Sequence, residues 1–170
     1  MRWNAIFVCL VLSGCGQDGS GTVFSSDSSA ELDRQAIAKD LLPDPETLNM
    51  AGRYERRSEL GTDKFCATKN GSQHDIGILA VFGPESKCEA QGSATADSSH
   101  IRITLKGKES CSFTAEFDGV ALRIPGTLDS GCSSYCSPRA SLSGTSYYFV
   151  EQGDVNARKA LGRDFEKLCP

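Results

Sequence analysis

Residues 101–124 read IRITLKGKESCSFTAEFDGVALRI. Ile101, Ile103 and Leu105 alternate with Arg102, Thr104 and Lys106, and Gly107 turns the chain. Cys111, Phe113, Ala115 and Phe117 then alternate with Ser112, Thr114, Glu116 and Asp118. After the tight turn Asp118-Gly119, Val120, Leu122 and Ile124 alternate with Ala121 and Arg123. Side chains on a strand point to opposite faces with a period of two, so this is an antiparallel meander with one dry face and one wet face.

The same texture extends upstream. Gly52 to Arg57 and Lys64 to Thr68 read as short strands, and Asn70-Gly71 marks a hairpin because both residues tolerate positive φ. Asn70-Gly71-Ser72 also matches a glycosylation sequon and is read here as a turn. Ile76 to Phe82 is almost wholly apolar, as expected of a strand buried on both faces, and Pro84 closes it. Cys88 to Thr95 is a weaker strand of small residues. Downstream lies a cysteine-bearing loop, Ser130 to Pro138, and then a final strand predicted from Arg139 to Val150. Asp154 is the expected N-cap of a closing helix to about Lys167, with Val155, Leu161, Phe165 and Leu168 inward. Gly162 weakens that helix by about 1 kcal/mol. About eight strands in a meander predict an all-β fold, a small antiparallel barrel or sandwich with a C-terminal helix.

The N-terminus differs in kind. Arg2 precedes an apolar run, Ile6 to Leu12, which ends in Leu12-Ser13-Gly14-Cys15. The run is well short of the ~20 apolar residues of a spanning helix. An ordinary secretory cleavage site and a buried first strand are the alternatives, but the low-complexity stretch Gly16 to Gly21 reads as a tether. The motif resembles the lipobox of bacterial lipoproteins. That resemblance implies cleavage before Cys15, a thioether-linked diacylglycerol on it, and acylation of the new amino group, with palmitate among the chains. Stable anchoring takes about two chains, so the attachment would be permanent. Gly16 stands where an aspartate would retain an enterobacterial lipoprotein at the inner membrane, so the expected address is the periplasmic face of the outer membrane.

The organisation that follows is a signal peptide over 1–14, a lipidated and flexible segment over 15–45, and a β domain over 46–170. Residues 16–30 are expected to be disordered, with a reach of about 20 Å. Residues 31–42 are expected to form a short helix ended by Pro43 and Pro45. Without residues 1–14 the chain keeps 17 basic and 22 acidic residues, a net charge of −5. That balance argues against nucleic acid as a partner. With Cys15 set aside, Cys66, Cys88, Cys111, Cys132, Cys136 and Cys169 are an even number, read in an exported chain as three disulfides. Fifteen pairings are possible, and a sequential one, 66–88, 111–132 and 136–169, is the working expectation. Gly52-Arg53-Tyr54 resembles, with Tyr54 in place of tryptophan, the Gly-x-Trp opening of lipocalins and of small periplasmic barrels that inhibit proteases.

Candidate chemistry is sparse. A Ser-His-Asp reading would recruit His100 with Ser98, Ser99 and Asp97, or His74 with Asp75, but adjacent strand residues face opposite ways. Both histidines are read as solvated turn neighbours. Cys132-x-x-x-Cys136 lacks the repeated knuckle spacing of zinc sites and is read as structural. Arg53, Arg56 and Arg57, with Arg139, are interrupted by Glu55 and Glu59 and read as a solvated face. Tyr135, Tyr147 and Tyr148 offer an aromatic contact surface, with core packing an equal account of at least one of them. The expectation is therefore a monomeric binding module without enzymatic activity, cofactor or metal, attached to the membrane and engaging an envelope protein or component. Its contact is placed on the loop around Ser133, Tyr135 and Arg139. The alternative is a small-molecule or lipid carrier with a lipocalin-like cavity.

Overall fold

Eight strands run up and down in sequence order: β1 (Gly52–Ser58), β2 (Gly61–Asn70), β3 (Gln73–Val81), β4 (Lys87–Asp97), β5 (His100–Lys106), β6 (Cys111–Phe117), β7 (Ala121–Arg123) and β8 (Ser146–Gln152). Each pairs antiparallel with the next, and β8 pairs back to β1, so the sheet closes into a barrel. The computed structural model describes residues 26–39, 41, 44, 48–107 and 109–170. The lipobox, Cys15, the tether up to residue 25, and Pro43 and Pro45 lie outside them. A helix α1 (Ser26–Ala38) begins five residues before the expected start, taking in Ser26 to Ala30. Serine and alanine are tolerated in helices, and Glu31 supports this one through an ion pair to Arg34 and a hydrogen bond from Gln35.

Alternation is strict in β5 and β6, where every second side chain is buried. It resumes with Leu122 and Ile124, while Val120 belongs to the turn and is exposed. Inside, Tyr54 meets Phe65 and Phe117 edge-on with ring centroids 5.4 and 5.8 Å away, the exposed Phe149 also meets its ring at 5.4 Å, and Phe65 lies 5.9 Å from Tyr147. Ile76, Ile78, Ile101, Ile103 and Leu122 fill the space around them. The centre of the barrel is packed side chain against side chain. The β2–β3 hairpin is shifted by one residue from the expected turn. Asn70 pairs with Gln73, so Gly71 and Ser72 are the turn residues, and only Gly71 (φ 62°) takes positive φ.

The turns β1–β2, β3–β4 and β5–β6 share one end of the barrel, the upper rim, with the long β7–β8 connection. That connection closes the upper mouth. Its 3₁₀ helix (Ser130–Tyr135) is tied to the start of β6 by Cys111–Cys132, and Cys136 is tied to the start of β4 by Cys88–Cys136. Leu142, Cys132 and Tyr135 complete the interior cluster. The predicted strand from Arg139 is confined to β8 because Leu142 and Thr145 turn the chain over the mouth.

The C-terminal helix is short, α2 (Asp154–Ala157). Asp154 does not cap it, because its carboxylate accepts the backbone N–H of Lys69 instead, at 2.9 Å. Beyond α2 the tail covers the outer face of β2 and β3, where Cys66, Leu79, Ala157, Ala160, Leu168 and Cys169 form a second cluster. This is why β3 is buried on both faces, as its apolar sequence predicts. The tail ends in Cys66–Cys169. Thus 111–132 is the one sequential pair present, and 66–169 and 88–136 replace the other two. The non-helical path lays Ala160, Leu168 and Cys169 against Cys66 and Leu79. Of the four residues expected to face inward, Leu168 is buried, whereas Val155 and Phe165 are exposed.

Candidate functional site

The upper rim collects the surface features with the most shape. The β3–β4 turn, Phe82 to Ser86, forms one wall of a cleft of about 650 Å³, and Ser137, Pro138 and Arg139 form the other. Ser137 holds the walls in register: its N–H donates to Lys87 O at 2.8 Å, and its hydroxyl accepts from Lys87 N at 3.2 Å. On the far side of the same turn, Arg163 donates to the carbonyls of Gly83 and Pro84. Arg163 also lines a second cleft of about 420 Å³, with Arg57, Lys64, Leu79, Val81 and Phe165 among its walls. The two clefts therefore meet across one clamped turn.

Residues 161–167 form a closed loop standing on the barrel wall. Leu161 bridges Lys167, and Gly162 N–H donates to Glu166 O at 2.8 Å. Lys87 Nζ reaches Asp164 at 3.1 Å and Glu89 at 2.6 Å, while Lys64 Nζ donates to Leu161 O at 2.9 Å. Burial raises the Glu89 carboxyl above its ordinary range, and the hydrogen bond between Glu89 and Glu166 raises it further while holding Glu166 low. At the tip stands Phe165, 82% exposed with φ at 65°. A bulky L-residue in the left-handed region costs about 1–2 kcal/mol. Sequence reading missed this residue by assigning it to a helix face; Gly162 and the terminal cysteine were the signals against a helix.

The expected contact residues separate. Arg139 is exposed at the first cleft with φ at 68°. Ser133 is exposed beside a smaller hollow of about 140 Å³, and its hydroxyl donates to Ser130 O at 2.7 Å. Tyr135 is only 8% exposed and donates its hydroxyl to Glu109 O at 2.7 Å, so it anchors the mouth loop to the barrel and offers no contact surface. Tyr147 is likewise interior, and only Tyr148 is exposed. No family model, curated protein or solved structure matches the chain.

The histidines part company as well. His100 lines an open cleft with Asp97, Arg102, Thr95 and Thr114, without Ser98 or Ser99. His74 is only partly solvated, half-buried, and its Nδ1 has no hydrogen-bond partner among the described residues. Burial lowers its pKa, with Asp154 opposing and Lys69 assisting. The basic grouping is dispersed by strand alternation. Arg53 is paired with Glu55 and Glu151, Arg56 turns to the buried Asp63, and Arg57 is exposed. Asp63 also accepts the Val81 N–H at 2.7 Å, which ties β1, β2 and β3 together at the upper rim.

Proposed function

We propose that this chain is a membrane-anchored lipoprotein whose exported barrel is a non-catalytic binding module for a protein or other envelope component, an inhibitor of an envelope-attacking hydrolase being one form of it. The lipobox resemblance at Leu12 to Cys15 supports the anchor, and three disulfides suit an oxidising compartment. One observation carries the reading of function: the interior is filled, and the shaped surface lies outside, on a rim whose loops are fixed by disulfides and backbone hydrogen bonds. A rigid surface gives up little conformational freedom on binding. A carrier would have to clear Tyr54, Phe65, Phe117 and Tyr147 from the centre, so the packing favours the binder.

The test is made on the full chain produced in a bacterium. Palmitate incorporation and sedimentation with outer membranes are expected, and Cys15→Ser should abolish both; label retained by the variant would defeat the anchor. Native mass spectrometry of the detergent-solubilised chain should then show a stoichiometric protein or envelope-component adduct. A tightly held apolar small molecule would favour the carrier instead.

A further inference from the structure

We propose that Phe165 is the anchor of a protein–protein interface, entering an apolar pocket of a protein partner whose rim places carboxylates against Arg57, Lys64 and Arg163. The inference rests on the binding-module reading and names its site and the chemistry of the partner.

The starting point is a side chain that the fold does not use. Phe165 is exposed, so the core does not account for a phenyl ring there. Its backbone is left-handed, a geometry that glycine or asparagine would satisfy without conflict. Strained conformations persist where the surroundings over-determine them, and they cluster at functional sites. Here the surroundings do so: Arg163 is fixed to the β3–β4 turn, Asp164 to Lys87, Leu161 to Lys64, and the segment that follows to Cys66 through Cys169. Gln91 adds hydrogen bonds to the carbonyls of Lys167 and Leu168. Everything around the ring is held, and the ring itself is offered to the outside. Aromatic anchors presented in this way dominate the energetics of protein interfaces.

Charge selects the partner. The cleft beside Phe165 is walled by Arg57, Lys64 and Arg163, and its one carboxylate, Glu55, is already paired with Arg53 and Arg57. On the β4 side of the loop the charges are opposite, with Asp164, Glu166 and Glu89 gathered around Lys87. A folded protein surface holds its charges in fixed positions and can match both signs at once, which fluid lipid headgroups do not do in a fixed pattern. The chain also enters the barrel at Gly52, at the lower rim, while Phe165 projects beside the upper one, away from the tethered end.

The experiment places the photo-reactive residue p-benzoylphenylalanine at position 165 of the full chain in the producing cell, with positions 139 and 104 as comparisons. A protein adduct at 165 and none at 104 is expected. That protein, purified, is titrated with wild type, Phe165→Gly and Phe165→Tyr. Phe165→Gly should bind at least about 30-fold more weakly while melting no lower than wild type, because glycine relieves the backbone; Phe165→Tyr should retain most of the affinity. Adducts at 165 with lipid alone, or equal affinity of Phe165→Gly, would overturn the proposal. An adduct at 139 with none at 165 would overturn it too, yet leave the binding module standing. No adduct at any position, together with no protein in native mass spectra, would remove both.

Discussion

The backbone of Leu168 lies directly on Gly77. A Cβ at position 77 would stand 2.6 Å from the Leu168 carbonyl carbon and 2.7 Å from its Cγ, well inside van der Waals contact. Glycine is thus what allows the tail to reach the barrel wall. Gly77→Ala should cost about 1–3 kcal/mol through this overpacking, read as a lower urea midpoint. An unchanged midpoint would mean that the tail does not lie there.

The disulfides join residues 103, 48 and 21 positions apart. On chain entropy alone these closures are worth about 4.7, 4.1 and 3.3 kcal/mol in that order. Paired Cys→Ala replacements should therefore destabilise most at 66–169 and least at 111–132. Peptide mapping without reduction gives the direct check, and a 66–88 peptide would contradict the fold described above.

Histidine 74 makes stability depend on pH. Its folded-state pKa lies below the ordinary 6.5 because burial disfavours the charged ring. The unfolded chain then binds more protons, so stability is complete above about pH 6.5 and declines as the pH falls through and below that value. Glu89, raised above its ordinary range by burial, acts in the opposite sense. Melting temperatures from pH 7.5 to 5 should fall for wild type and fall less for His74→Gln. Parallel curves would show that His74 is not the group responsible.

Tyr54 donates its buried hydroxyl to Met50 O at 2.9 Å, fixing the segment that leads into β1. Burial also pushes this hydroxyl well above its ordinary pKa range. Tyr54→Phe should cost about 1–3 kcal/mol, since it leaves the Met50 carbonyl buried without its donor. A stability equal to wild type in chemical denaturation would show that water reaches that carbonyl.

What could be read from the sequence followed one physical rule. Where one face of a strand is wet and the other dry, as from Ile101 to Phe117, the period of two is visible and the strands were placed closely. The double burial of β3 was also visible in Ile76 to Phe82, although nothing local identified Leu168 and Cys169 as its cover. Long-range partners leave no local trace, which is why two of the three cysteine pairs differ from the sequential scheme. Tyr135 shows the same limit: a loop tyrosine reads as contact surface until disulfides on either side of it draw the loop over a barrel mouth. Phe165 was hidden because Val155, Leu161, Phe165 and Leu168 mimic a helical stripe that the tail does not follow.

Each disulfide unites a cysteine from the first six strands, Cys66, Cys88 or Cys111, with one from the last quarter of the chain, Cys132, Cys136 or Cys169. A polypeptide emerging N-terminus first consequently exposes these three thiols before any correct mate exists. Every bond that oxidation could make among those three is a wrong one, to be undone by thiol exchange. Maturation is thereby coupled to the arrival of the C-terminal residues, and a chain truncated before Cys132 would have no native crosslink to form.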